Sequence, residues 1–241
     1  MARRTKIIAT IGPASQDGPT LRRMIEAGMD VARIGLAHGT LDEQVEKFHT
    51  VRAVAADLGR HVGIVVDLPG PKIRCAPFAD GGFELLEDTQ ISLGVDGSES
   101  SGDLINVDYP DLINDVQLGD TLSFADGKVI LIIENREGDR LKARVLHGGK
   151  LEGRPGLHVP SDRLRLTSPT DDDLSLLDTF VELGTDMVAV SFVRSAHDIR
   201  RLGVEPAPRG PLVIAKVETK AAVQNLEGII EASGAVMVAR G

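Results

Sequence analysis

Short β-branched runs alternate with stretches of helical periodicity at both ends of this chain, and the alternation stops in the middle. No other feature narrows the fold as much. Lys6 to Ile11, closed by Gly12-Pro13, reads as a strand and a turn. Pro19 suits the first turn of a helix whose apolar face is Leu21, Met24 and Ile25, stopped by Gly28. Val31 to Ile34 is a second strand, and Leu41 to Leu58 a helix with Val45, Phe48, Val51 and Ala55 at helical spacing. Val62 to Val66 is a third strand, ending in Asp67. Repeated strand–helix units predict a parallel sheet with crossover helices.

From about Ala76 to Leu166 there is no helical periodicity. Thr121 to Phe124, Val129 to Ile133 and Leu141 to Leu146 read as antiparallel strands. The turn pairs Asp126-Gly127, Gly138-Asp139 and Gly148-Gly149 punctuate them. Alternation then resumes. A helix carries Leu174, Leu177, Phe180 and Val181, opened by Asp171-Asp172-Asp173, whose carboxylates suit the positive helix end, and stopped by Gly184. Met187 to Phe192 is a strand, His197 to Leu202 a short helix, and Leu212 to Val217 a strand. One further helix holds Val223, Leu226, Ile229 and Ile230, before a strand from Ala235 to Val238. The expected fold class is α/β, of the (β/α)8-barrel type but incomplete, with about six of eight strands. Residues 1–75 and 167–241 form the partial barrel domain, and 76–166 an inserted, small, all-β, barrel-like domain.

The 241 residues suffice for a sizeable core, and their formal net charge of -9 argues against a general nucleic-acid binder, which needs a basic face. Cys75 is the single cysteine, which excludes an internal disulfide and a cysteine-based zinc site and suits a reducing, cytoplasmic setting. The basic start, Met-Ala-Arg-Arg-Thr-Lys, precedes an apolar run too short for a signal peptide or a membrane span. Neither a Gly-x-x-x-x-Gly-Lys-Ser/Thr loop nor a Gly-x-Gly-x-x-Gly loop occurs.

Within Leu212 to Thr219 an apolar run is interrupted by Lys216 and then Glu218. Residues i and i+2 of a strand share a face, so the two charges project together at the mouth of a parallel sheet. The carboxylate suits a hard metal ion, and the ammonium suits a phosphate or an enolate oxygen. An ordinary solvated ion pair at a strand end has the same pattern, and both readings stand at this level.

Several motifs, in order, resemble those of pyruvate kinases. They are Thr5-Lys6-Ile7 with Thr10-Ile11-Gly12-Pro13-Ala14, Glu26-Ala27-Gly28-Met29-Asp30-Val31-Ala32-Arg33, and Asp67 with Gly70-Pro71-Lys72-Ile73-Arg74. Ser191-Phe192-Val193-Arg194, Ala215-Lys216-Val217-Glu218 and Val236-Met237-Val238-Ala239-Arg240-Gly241 follow. The resemblance covers this whole chain and about the N-terminal half of that family's proteins. It implies magnesium-dependent phosphoryl transfer from phosphoenolpyruvate to ADP, giving pyruvate and ATP, in glycolysis. Lys216 then matches the lysine that stabilises charge on the phosphoryl group and the enolate, Glu218 a magnesium ligand, and Arg33 an arginine on the phosphoryl group. Backbone N–H groups around Gly241 match the carboxylate-binding turn. His38, Arg74 and Arg154 match nucleotide contacts. The family also implies a homo-oligomer, tetrameric when complete.

Departures carry information too. Many relatives hold potassium with Asn and Ser of an Asn-Phe-Ser-His-Gly run and with an Asp-Thr pair; here stand Gly35-Leu36-Ala37-His38-Gly39 and Asp67-Leu68. Relatives with Gly-Pro-Lys tend not to need potassium, so Asp67 and Lys72 mark a region where a fixed ammonium replaces the ion, and magnesium is the one metal expected. Asp172 stands where relatives often carry lysine. The family motif continues Ala-Arg-Gly-Asp, and that Asp is the second magnesium ligand, one residue beyond Gly241. Residues 1–241 alone are therefore expected to be inactive. Two further readings remain: a non-catalytic relative that binds phosphoenolpyruvate, nucleotide or a partner protein, and another barrel enzyme such as an aldolase, which the β insert disfavours.

Overall fold

The structure, a computed structural model, describes residues 5–79, 81–125, 127–159 and 167–239. The chain falls into two compact units. One runs up to Pro71 and resumes at Thr167; the other begins at Lys72 and occupies the interval.

The first unit opens with β1 (Ile8–Thr10), α1 (Gly18–Glu26), β2 (Val31–Gly35), α2 (Leu41–Asp57) and β3 (Gly63–Leu68). Asp17 caps α1 by accepting from the Thr20 N–H. Thr40 and Glu43 form a capping box on α2, each side chain accepting from the other's backbone N–H.

The second unit is almost entirely β. It contains β4 (Ile73–Arg74), β5 (Phe83–Leu85), β6 (Gln90–Gly94), β7 (Leu104–Asn106), α3 (Leu112–Asp115), β8 (Thr121–Phe124), β9 (Val129–Glu137), β10 (Arg140–His147), β11 (Gly149–Leu151) and β12 (Gly156–His158). Seven of these strands form one sheet in the order β4-β12-β8-β9-β10-β6-β7, and β11 pairs with β5. The turn between β9 and β10 sits on Gly138 at φ +62, a left-handed conformation in which a side chain is costly. Asp126 of the expected turn pair lies outside the described residues. The helix α3 corrects the expectation of a helix-free segment: a single turn is too short to show a helical period.

The first unit resumes with α4 (Asp171–Glu182), β13 (Met187–Val190), α5 (Ala196–Arg200), β14 (Leu212–Val217), α6 (Lys220–Gln224), α7 (Leu226–Ala232) and β15 (Ala235–Val238). The single helix expected around Val223 to Ile230 is thus two. Asn225, at φ -109 and ψ 22, breaks it, and its side-chain amide donates to the Arg194 carbonyl, tying the break to the loop after β13.

Six strands pair in chain order, β1-β2-β3-β13-β14-β15, and every pair is parallel. This is an incomplete (β/α)8-type barrel sheet joined by helical crossovers. Its two faces separate by the period of two. Ile64, Val66, Val188, Val190 and Ala215 pack outward with Leu21, Ile25, Phe48, Val51 and Phe180 of the helices. Val65, Ala189 and Ile214, with Val31, Met187, Ala235 and Met237 beside them, form a smaller inner cluster. At the N-terminal strand ends, carboxylates fix the backbone: Asp30 accepts from the Ile7 N–H at 2.8 Å, and Asp186 from the Ile64 N–H at 2.7 Å. Among the described residues no helix is long and apolar enough to cross a membrane.

Candidate active site

The inner cluster sets the site by alternation. Two residues beyond the inner-face Val31, Val65, Ala189 and Ile214 stand Arg33, Asp67, Ser191 and Lys216, so each polar side chain shares its predecessor's face at the C-terminal strand ends. Thr10 pairs in register with Arg33 and joins the same row. Glu218 follows Lys216 by two residues, just past the end of β14.

These side chains meet. The Arg33 Nε donates to Asp67 Oδ2 at 2.7 Å, a second guanidinium nitrogen pairs with the same oxygen, and Nη1 donates to Thr10 Oγ1 at 2.8 Å. Asp67 Oδ1 lies 3.4 Å from Lys216 Nζ. That ammonium donates to Ser191 Oγ at 2.7 Å and stands 3.6 Å from Glu218 Oε1. Asp67 is only 4% exposed and Ser191 2%, so the carboxylate lies out of water, flanked by two cations. A buried carboxylate that loses such partners is strongly destabilising, which makes the cluster an all-or-none arrangement.

The turn after β13 supports it. Phe192 sits at φ +55, unusual for a bulky residue and costing about 1–2 kcal/mol. Three contacts hold it there. The Phe192 N–H donates to Glu218 Oε1 at 2.8 Å, and Ser168 Oγ donates to the Ser191 carbonyl at 2.6 Å. Gly70, at φ +69, lies so close that a Cβ there would stand 2.7 Å from the Phe192 ring and 3.0 Å from Ser191 Cβ.

The remaining expected residues fall elsewhere. His38 lies exposed in the loop after β2, at the C-terminal end of that strand, and its carbonyl accepts from the Gln44 side chain. Arg74 and Arg154 meet in the second unit around Asp108: its Oδ1 accepts from the Arg74 N–H at 2.6 Å and its Oδ2 from Arg154 Nη2 at 3.1 Å. Lys72, also in that unit, is exposed, whereas Asp67 belongs to the first unit. Gly241 lies outside the described residues. Ser191 and Thr10 join the cluster although the motifs that contain them assign neither a role; the signal for both is an inner-face position at a strand end. Asp173 of the acidic run is a cap: Thr170 and Asp173 form a capping box on α4, and Asp173 Oδ1 also accepts from the Gly70 N–H at 3.0 Å.

Among the described residues there is no group of three or more His, Cys, Asp or Glu side chains placed to hold a metal. Both Asp67 oxygens face cations, while Glu218 Oε1 accepts from the Phe192 N–H and, among the described residues, Glu218 Oε2 has no partner. One carboxylate oxygen fits magnesium, which is commonly bound through one or two carboxylates and completes its shell with water and phosphate.

Fold and site together define a barrel-type α/β protein whose charged cluster occupies the strand ends where such barrels keep their active sites. The pattern of the pyruvate kinase barrel domain matches residues 2–241. A pyruvate kinase of Mycobacterium tuberculosis is 39% identical over 100% of this chain and 52% of its own length. One from Thermococcus litoralis is 37% identical over 99% of this chain and 50% of its own, and pyruvate kinase 1 of Trypanosoma brucei brucei is 35% identical over 99% and 49%. The chain belongs to the pyruvate kinase family, and it spans about half the length of these relatives.

Proposed function

We propose that the full polypeptide carrying these residues transfers a phosphoryl group from phosphoenolpyruvate to ADP, giving pyruvate and ATP. The observation that carries this reading is the Lys216 ammonium, held at 2.7 Å by Ser191 and flanked at 3.4 Å and 3.6 Å by two carboxylates, with Arg33 across Asp67. Phosphoryl transfer needs positioning and charge neutralisation more than covalent help from the protein. Arg33, oriented by Asp67 and Thr10, presents a planar donor fork to the phosphoryl oxygens. Lys216 stands where charge grows on the phosphoryl and enolate oxygens. Gly241 backbone groups take the substrate carboxylate, and His38, Arg74 and Arg154 serve the nucleotide.

Glu218 is the residue that would hold magnesium, through Oε2. When bound, the ion neutralises phosphate charge. Arg33, Lys216, Asp67 and Glu218 sum formally to zero, which favours a phosphate that enters together with a divalent cation.

The test is turnover. In the full polypeptide encoded by the gene, Lys216→Ala should lower kcat on the order of a hundredfold or more, with a much smaller change in KM. A variant with near-normal turnover would remove Lys216 from the chemistry. The enzyme should also work without potassium, with Lys72 supplying fixed charge. Gly35, Ala37 and Leu68 offer no side-chain oxygens, and Asp67 is already committed to Arg33 and Lys216. Initial rates in potassium-free buffer should match those with potassium, and Lys72→Glu should create a dependence; strong potassium activation of the unaltered enzyme would refute the assignment.

A further inference from the structure

Ser191 is buried, belongs to a turn with a left-handed residue, and carries a hydroxyl with two short contacts. Its Oγ lies 2.6 Å from the Leu68 carbonyl oxygen and 2.7 Å from Lys216 Nζ. A carbonyl only accepts and an ammonium only donates, so the single hydroxyl proton must go to Leu68. That leaves an oxygen lone pair aimed at Lys216. The third contact, Asp67 Oδ1 at 3.5 Å, is too long to compete for the proton.

The ammonium therefore has one short, neutral, directional partner and two looser ionic ones at 3.4 Å and 3.6 Å. Charge alone does not fix its place, because Coulomb attraction to two carboxylates is weakly directional. Without Ser191 the ammonium would settle against Asp67 or Glu218, and its free N–H groups would turn from the substrate side toward those oxygens. We propose that Ser191 is a positioning residue. Oriented by the Leu68 carbonyl and by the Glu218- and Ser168-braced turn, it holds Lys216 away from both carboxylates and in line for an anionic substrate oxygen. The geometric claim stands on these contacts alone; its kinetic consequence rests on the phosphotransfer reading above.

The test has two arms. In protein labelled with 15N-lysine, the Lys216 ammonium signal, identified by its loss in Lys216→Arg, should exchange with solvent slowly. In Ser191→Ala that exchange should rise about three- to tenfold, as expected for one lost hydrogen bond. In Ser168→Ala, which loosens the turn but leaves the Ser191 hydroxyl and its Lys216 bond in place, it should rise less than in Ser191→Ala. Should Ser191→Ala fail to fold, Ser191→Cys keeps the size and supplies only a weak acceptor. Unaltered exchange in the folded Ser191 variant overturns the proposal. In the kinetic arm, Ser191→Ala should lower kcat on the order of ten- to a hundredfold with little change in KM. It should add nothing in a Lys216→Ala background. An equal loss in that background means Ser191 acts otherwise than through Lys216, and the proposal falls. An unaltered protein that shows the exchange pattern but no pyruvate formation refutes the phosphotransfer reading and leaves the Ser191–Lys216 assignment supported.

Discussion

Two buried ionisable side chains are handled in opposite ways in the two units. Asp67 lies among cations, with Arg33 on one oxygen and Lys216 near the other. Among the described residues no cation pairs directly with the Cys75 thiol: burial pushes it from an ordinary 9.0 up to about 12, Asp108 raising it further and Arg154 opposing. The consequence for stability has a definite sign. Between pH 9 and 12 an unfolded chain gives up the thiol proton while the folded chain keeps it, so stability falls as pH rises through that window and is untouched below it. The loss amounts to at most about 1.4 kcal/mol per pH unit. Urea midpoints at pH 8 and pH 10 should therefore separate further in the unaltered protein than in Cys75→Ala. Native Cys75 should also resist thiol reagents at pH 8, since the thiolate is the reactive form. Equal midpoint shifts in the two proteins would show that the thiol ionises in the folded state as readily as in the unfolded one.

At the scale of elements, α4 joins the fold to the site. Asp173 closes the capping box of that helix and also receives the Gly70 N–H, so one carboxylate ties the helix start to the segment leaving β3. Gly70 in turn packs against Ser191 and Phe192. Removing the carboxylate strands the buried Gly70 N–H and the part-buried Thr170 N–H, so Asp173→Ala should lower unfolding free energy by about 2–3 kcal/mol, read from chemical denaturation. A change below about 0.5 kcal/mol would deny it that role. The acidic run itself is legible as a helix start, whereas the second bond, to a residue far away in the chain, has no local signature. The same division holds for the site. Lys216 and Glu218 are legible because a charge pair spaced by two interrupts an apolar strand. Ser191 is not, because a serine after an apolar run is an ordinary strand end until Leu68 and Lys216 are placed beside it. The break at Asn225 escapes for a similar reason: apolar spacing runs through it, and only its backbone turn, tied to the Arg194 carbonyl, distinguishes two helices from one.

At the scale of the molecule, the two units have separate cores. Phe124, Leu122, Leu131, Leu141, Val145 and Ile105 belong to a cluster confined to the second unit, and the helix-packed cluster of the first contains none of them. Their topologies differ in what they demand of the chain. The first unit is assembled from two segments far apart in sequence, since β3 must pair with β13 across the whole insertion. The second is dominated by neighbours, with β8, β9 and β10 running as an antiparallel meander through tight turns. Local pairing costs little loop entropy, and a single-segment unit of this size buries enough apolar surface to fold by itself. Residues 72–166 expressed alone should therefore give a β-type far-UV spectrum, near-UV signals from the buried Tyr109, and one cooperative urea transition. Amide protection should be greatest in β9, the centre of the meander and of the seven-stranded sheet. The first unit, deprived of the insertion by a short linker from Pro71 to Thr167, should keep the β3–β13 pairing, since that register is set by Val65, Val66, Met187 and Val188 rather than by the insert. A non-cooperative, dye-binding state of residues 72–166 would mean that its core closes only when the other unit is present.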